Sequence, residues 1–178
     1  MNNSLQSEII IDENIKLTKW CLDDAEELSV IANNRKISDN LRDGFPHPYC
    51  LQDAINFINI SNDDNNSMNF CIKVNNCVAG GFGIVFHTDI YRRNCEIGYW
   101  LGEKYWGQGI MTRVVKSGVK YIFSNFDIVR IYADIFARNV GSKRVLEKAG
   151  FEFEGVLRKS VFKNGEQIDA LSYSLIQE

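Results

Sequence analysis

Proline is almost absent from this 178-residue chain, which holds two, Pro46 and Pro48, so helices and strands can run unbroken on either side of one marked interruption. Histidine is equally scarce, and neither His47 nor His87 has a second histidine at ligand spacing, which argues against a metal centre. The five cysteines are odd in number and form no C-x-x-C pair; most sit in apolar segments and read as reduced thiols packed as small hydrophobes. No apolar run approaches the roughly 20 residues of a membrane span. The opening Met1 to Glu8 lacks the basic and apolar regions of a signal peptide, so a cytoplasmic location is expected. Positive charge is not in excess either: 20 Lys and Arg face 23 Asp and Glu, a formal net charge of -3, which provides no field for nucleic acid phosphates or anionic lipid.

What remains is 45% hydrophobic and 12% aromatic, enough for one domain with a core and a pocket; residues 1-13 read as a poorly ordered leader within a single 1-178 domain. Ile15 to Leu17 reads as a first strand. Asp23 with Glu26 is a capping box for a helix burying Ala25, Leu28, Ile31 and Ala32. The segment Phe45-Pro46-His47-Pro48-Tyr49 must be non-helical, and a second helix follows over Leu51, Ala54, Ile55 and Ile58. Ser61 to Asn69 reads as a solvated connector, and Phe70, Ile72 and Val74 then alternate toward a turn at Asn75-Asn76, with Cys77 to Phe86 returning antiparallel. Residues 95 to 101 form a strand that runs straight into a glycine loop and a helix burying Ile110, Met111, Val114, Val115, Val119 and Ile122. Arg130 to Phe136 is another strand, Asn139 caps a helix that Gly150 ends, and Asn164-Gly165 marks a closing hairpin between Phe153 to Lys163 and Glu166 to Ile176.

The chemistry concentrates at Trp106-Gly107-Gln108-Gly109-Ile110-Met111-Thr112. Two glycines there bring backbone close to a ligand just where a helix exposes unpaired N–H groups and its positive dipole end, which suits a pyrophosphate. A dinucleotide G-x-G-x-x-G fails because Thr112 stands at the last glycine, and the lysine of a P-loop is missing, which disfavours a nucleotide-binding regulator.

Taken in order, NLRDGFPHPY (Asn40 to Tyr49), EIGYWLGEKYWGQGIMT (Glu96 to Thr112), NVGSKRVLEKAGF (Asn139 to Phe151) and EGVLR (Glu154 to Arg158) resemble the GNAT superfamily of N-acetyltransferases, in its RimJ/RimL-like branch, over roughly Asn14 to Glu178. The resemblance implies an α+β fold: a mixed, mostly antiparallel central sheet flanked by helices, with a splayed strand pair at the acetyl-CoA cleft. The motif Q/R-x-x-G-x-G/A falls on Trp106 to Met111, with Met111 replacing a small residue and expected to tighten the phosphate turn. The resemblance further implies acetyl-CoA as co-substrate, its pyrophosphate on the N–H groups of Gln108 to Thr112 and its pantetheine amides along the Tyr99-Trp100-Leu101 edge. Asn139 and Ser142 would line the thioester end.

Acyl transfer needs a neutral amine and a proton donor for the leaving thiolate. Glu96 and Asp134 match two positions of a base in the superfamily, with Glu96 favoured; as ordinary carboxylates they would instead pair with Arg92 or Arg93, and with Arg138. The tyrosine acid of many members is replaced by Leu146, leaving Ser142 or solvent for that role. Arg42, Asp43, Phe45, His47 and Tyr49 resemble the acceptor-side cover, with Asp43 pairing with a cationic substrate. The expected reaction is direct transfer of acetyl to a primary amine, either a protein N-terminus or a small molecule, in a ternary complex. The competing reading is a catalytically weak acyl-CoA-binding sensor or scaffold, motivated by Met111 and Leu146. Exposed strand edges and the resemblance together point to a homodimer.

Overall fold

The computed structural model describes residues 8-64 and 66-177. Eight strands form one sheet in the order β1-β2-β3-β4-β5-β6-β8-β7. The strands are β1 (Glu8–Ile10), β2 (Ile15–Lys19), β3 (Ser67–Val74), β4 (Cys77–Phe86), β5 (Asn94–Leu101), β6 (Arg130–Phe136), β7 (Glu152–Lys163) and β8 (Glu166–Ile176). The helices are α1 (Ala25–Ala32), α2 (Arg35–Ser38), α3 (Leu51–Asp63), α4 (Ile110–Asn125) and α5 (Val140–Ala149). All neighbours are antiparallel except β5 and β6.

Alternation along the central strands divides the core in two. Phe70 and Ile72 on β3 and Phe82 and Ile84 on β4 face α4 and α5, whereas Cys71 and Val78 turn to the opposite side and pack with α1 and α3. A strand covered by helices on both faces buries consecutive residues, which is why Phe70, Cys71 and Ile72 are all inaccessible. The expected burial on α4 holds for all six apolar positions named from its periodicity. Gly118 lets Phe82 seat against this helix: a Cβ there would lie 2.4 Å from the ring.

The β3–β4 turn uses Asn75 and Asn76 at positive φ, and the last hairpin uses Asn164 and Gly165 likewise, the geometry that twists correctly into flanking strands. Asn139 caps α5 by accepting from the Ser142 N–H at 3.0 Å, and Gly150 closes the helix in the left-handed conformation beside buried Phe151.

Five expectations are corrected. Glu8–Ile10 pairs with β2 instead of belonging to a disordered leader; residues 1-7 of that segment lie outside the described residues. The capping box before α1 is made by Cys21 and Asp24, not Asp23 and Glu26, because a short 3-10 turn at Leu22–Asp24 shifts the helix start. The connector expected from Ser61 to Asn69 shrinks, since α3 continues to Asp63 and β3 begins at Ser67. A 3-10 turn at Glu103–Tyr105 separates β5 from the glycine loop. Lastly, three of the five cysteines are exposed, and Cys21 and Cys50 occupy N-cap positions, their backbone N–H groups donating to Asp24 and Asp53; Cys71 and Cys95 alone are buried, which pushes both thiols up, Cys95 to about 12.

Among the described residues no helix is long and apolar enough to cross a membrane.

Candidate active site

β5 and β6 pair in parallel for three residues, Asn94 to Glu96 against Arg130 to Tyr132, and no further. Beyond that point the strands have no mutual ladder, because β5 continues along β4 while β6 continues along β8. The gap opens into a cavity of about 370 Å³. Its lining unites residues far apart in sequence: Arg42, Phe45 and Tyr49 from the proline loop, Glu96, Tyr99 and Trp100 from β5, Asp134 from β6, and Asn139 and Ser142 from α5.

At the start of the gap Glu96 is held by Arg42, whose Nη2 donates to its carboxylate at 2.5 Å, with 18% of the glutamate side chain exposed. The loop that carries Arg42 therefore touches the candidate base. This arginine, and not Arg92 or Arg93, is the partner; Arg93 is engaged by Asp127. Asp134 is exposed at the mouth and makes no ion pair among the described residues, Arg138 being turned to Glu166 and the Asp39 carbonyl.

The other wall carries an unexpected tyrosine. Tyr99 projects from β5 across the gap and its hydroxyl lies 2.9 Å from Ser142 Oγ in the first turn of α5. Burial pushes this phenol well above its ordinary value, partly offset by the serine, so it stays a neutral hydroxyl throughout the physiological range. Leu146, by contrast, is fully buried in the core and presents nothing to the cavity.

At the far end of β5 the glycine loop leads into α4. Gly107 and Gly109 have φ of 76° and 71°, and a Cβ on either would meet nothing within 4 Å. Gly109 is the N-cap of α4 and no side chain caps the helix, which leaves its first-turn N–H groups available to an anion. This geometry fits a pyrophosphate. Met111 does not tighten the turn: its side chain is buried on the core face of α4. The indole of Trp106 donates to the Leu101 carbonyl at 2.6 Å, so that carbonyl is taken and the free edge of β5 is confined to residues before it.

Two residues of the acceptor loop fall outside the cavity. Asp43 pairs with Lys163 of β7 at 2.8 Å, and lines a second hollow beneath the last hairpin. His47 is exposed before Pro48. Phe45 and Tyr49 do meet, with ring centroids 4.9 Å apart, and Phe45 also packs on Trp100 at 5.3 Å. Burial raises the Tyr49 phenol to about 12. Sequence reasoning missed the roles of the Tyr99 hydroxyl and of Trp20, which lines the same cavity from the end of β2. No cluster of three or more metal-ligating side chains occurs among the described residues.

Residues 14-152 match the protein family described as "Acetyltransferase (GNAT) domain". The chain belongs to the GNAT acetyltransferase family. Within 69 residues it is 51% identical to "Probable N-acetyltransferase YjcK" of Bacillus subtilis, a match spanning 39% of this chain and 38% of that relative. Among solved structures, the microcin C7 self-immunity acetyltransferase MccE, in complex with acetyl-CoA and AMP, aligns with a TM-score of 0.84 and 28% identity over 99% of this chain and 100% of that one. RimL, a ribosomal L7/L12 alpha-N-protein acetyltransferase in complex with coenzyme A, aligns with a TM-score of 0.86 over 95% of this chain and 97% of its own, and at 20% identity the likeness is one of fold. The GNAT sheet, open and mostly antiparallel with its splay at β5 and β6, is thus the architecture of this chain.

Proposed function

We propose that the chain transfers acetyl from acetyl-CoA directly to a primary amine in a ternary complex. The observation that carries this reading is the splay between β5 and β6, which sets Glu96 on one side of a single cavity and the Tyr99–Ser142 pair on the other, on the strand that ends at the phosphate cradle. The N–H groups of Gln108 to Thr112 hold the pyrophosphate, and the edge of β5 at Tyr99 and Trp100 receives the pantetheine.

An ammonium has no lone pair, so a proton must leave the amine before or as it attacks the thioester carbonyl. Glu96 takes that proton, directly or through water, and Arg42 must share or release the carboxylate as it does so. Asp134, exposed at the mouth, is the second candidate for the base. As the C–S bond breaks, its electron pair goes to sulfur, and Ser142 Oγ–H supplies the proton that yields the free thiol. Ser142 is re-protonated through Tyr99 or solvent. The missing tyrosine at Leu146 is therefore compensated by Ser142, earlier on α5, supported by Tyr99 from the facing strand.

Transfer is favoured over the sensor reading by the burial of Met111 in the core and by the Tyr99–Ser142 hydroxyl pair, which stands in for the acid that Leu146 lacks. Titrating the purified chain with acetyl-CoA by calorimetry, then following thiol release over a panel of amines and peptides, tests the proposal. Binding with acceptor-dependent release is expected; binding without release from any amine would favour the sensor, and no binding would remove the cradle. A protein N-terminus and a small-molecule amine are both admissible acceptors for this chemistry.

A further inference from the structure

The two ends of the cavity lie on opposite faces of the sheet. Tyr99 is on the α4/α5 face, where its hydroxyl reaches Ser142, and α4, which the phosphate cradle opens, packs there too. Glu96 and Trp100 alternate to the other face, and the register of Glu96 with Tyr132 puts Asp134, one pleat further along β6, on that face as well. An acceptor whose amine meets Glu96 therefore has its body on the α1/α3 face, and three directions lead away across it. Under α1 and α3 side chains raise the floor: a Cβ on Gly81 would lie 2.7 Å from the Trp100 indole, and one on Gly83 2.9 Å from the Asn69 side chain. Toward the start of β5, Tyr132 stands beside Glu96 with its hydroxyl 3.0 Å from His87 Nε2. The third direction runs over β6, β8 and β7, and the core beneath α1 and α3 takes no residue from these strands among the described residues.

There the second hollow, about 350 Å³, joins the first at Leu41, Arg42, Asp134 and Phe136, which line both. Its floor is the row Phe136, Ala170 and Leu157, one residue from each strand, about 10 Å across. Ala170 keeps the middle low, and Leu157 is left 42% exposed, apolar surface that a ligand can cover. The stretch from Asp39 to Asp43 is tied to the last hairpin, Asn164 Nδ2 donating to Asp39 Oδ1 and Lys163 Nζ to Asp43 Oδ1, each at 2.8 Å. The charges are uneven in one respect. Arg42 is held by Glu96 and Lys163 by Asp43, whereas Asp134, at the junction of the two hollows, makes no ion pair among the described residues. One ammonium at the junction completes the set. A second one deeper in would lose its water over an apolar floor, where the carboxylate of Asp43 is already taken by Lys163.

We propose that the hollow beneath the last hairpin is an acceptor subsite, and that the acceptor is a monoamine with an extended apolar body. Its amine lies between Asp134 and Glu96, and its chain runs over Phe136, Ala170 and Leu157. A free alkylamine and a polypeptide N-terminus with apolar leading residues share this chemistry. This rests on the acetyl-transfer reading above and names its substrate class.

The test is steady-state thiol release by the full chain with saturating acetyl-CoA and, as acceptors, ethylamine, octylamine, 1,8-diaminooctane and alanylvalylleucine amide. The expected result is a kcat/KM for octylamine or the peptide at least tenfold above those for ethylamine and the diamine. Octylamine ahead identifies a free amine as the acceptor, and the peptide ahead a polypeptide N-terminus. Leu157→Asp and Val161→Asp, each placing a carboxylate in the hollow, should lower the ratio of the better long acceptor to ethylamine at least tenfold. Calorimetric binding of acetyl-CoA reports that each variant is folded. Ethylamine or the diamine turned over as well as the long monoamines, or a ratio unmoved by both variants, would overturn the subsite while leaving acetyl transfer intact. Acetyl-CoA bound without release from any of the four would overturn both readings.

Discussion

Replacing Tyr99 with phenylalanine separates a proton relay from simple packing. The ring stays against the α4 core and one oxygen is removed, 2.9 Å from Ser142 Oγ. One buried hydrogen bond contributes about 1 kcal/mol to stability, so the variant should fold with a slightly lowered melting temperature. Its effect on catalysis follows from where the hydroxyl acts. Tyr99 positions and recharges Ser142 and does not itself meet the sulfur, so the loss of one supporting hydrogen bond, about 1.4 kcal/mol, corresponds to about tenfold in kcat. Ser142→Ala removes the donor at the leaving group, and such donors are worth about a hundredfold. Because the two hydroxyls act as one unit, the double variant should be no slower than Ser142→Ala alone. Acetyl-CoA affinity, read by calorimetry, should stay within about twofold, since neither hydroxyl belongs to the phosphate cradle. Thiol release with the preferred amine measures kcat. Full activity in Tyr99→Phe would show that the tyrosine only fills space, and losses that multiply in the double variant would show that it acts independently of Ser142; either result refutes the relay.

Gly109→Asp should weaken acetyl-CoA binding at least tenfold, about 1.4 kcal/mol, because it places negative charge at an uncapped helix start and a side chain at φ of 71°; an unchanged calorimetric affinity would take the cradle out of the mechanism. Glu96→Gln should depress turnover most at neutral pH and less at alkaline pH, where more of the acceptor is already neutral; if its pH–rate profile overlays that of the parent while Asp134→Asn slows the reaction, the base is Asp134. Lys73→Met should cost about 3 kcal/mol by leaving Asp24 buried without its cation, a loss visible in urea unfolding at pH 7. Burial would raise the Asp24 carboxyl, but hydrogen bonds from Lys73 and the Cys21 N–H outweigh it and hold it below its ordinary 3.8. A depressed folded value means stabilisation that is present above about pH 3.8 and lost as pH falls through the lower folded value, so the gap between parent and variant should close in acid; a gap constant with pH would assign it to packing of the lysine stem.

Local signals explain what the chain reveals before folding. The N-cap at Asn139, the left-handed Gly150, the paired turn residues Asn75-Asn76 and Asn164-Gly165 and the apolar stripe of α4 act within a few residues of themselves, so they are readable in sequence and the structure repeats them. The glycine loop belongs to the same class: its positive φ values and its uncapped helix start are local properties. Boundaries moved where short 3-10 turns intervene, at Leu22–Asp24 and Glu103–Tyr105, because their i to i+3 bonds leave no periodic trace in three residues.

The cavity is different in kind, because its chemistry depends on register between strands and on where a loop folds back. Arg42 reaches Glu96 across 54 positions and Tyr99 reaches Ser142 across 43. Nothing near Glu96 in sequence announces an arginine from the proline loop, and its neighbours Arg92 and Arg93 offered a nearer but unused alternative. Asp43 shows the converse: two residues from Phe45, it turns instead to Lys163, 120 positions away, because the loop sits between the cavity and the last hairpin. Tyr99 was legible as a strand residue, but its hydroxyl gains a role only because β6 departs from β5 after Tyr132 and lets α5 approach the opened edge. Leu146, one turn further along α5, has no hydroxyl and is buried in the core. A comparison confined to the family's usual tyrosine position would therefore find only Leu146 there and miss the Tyr99 hydroxyl that the splay sets 2.9 Å from Ser142 Oγ.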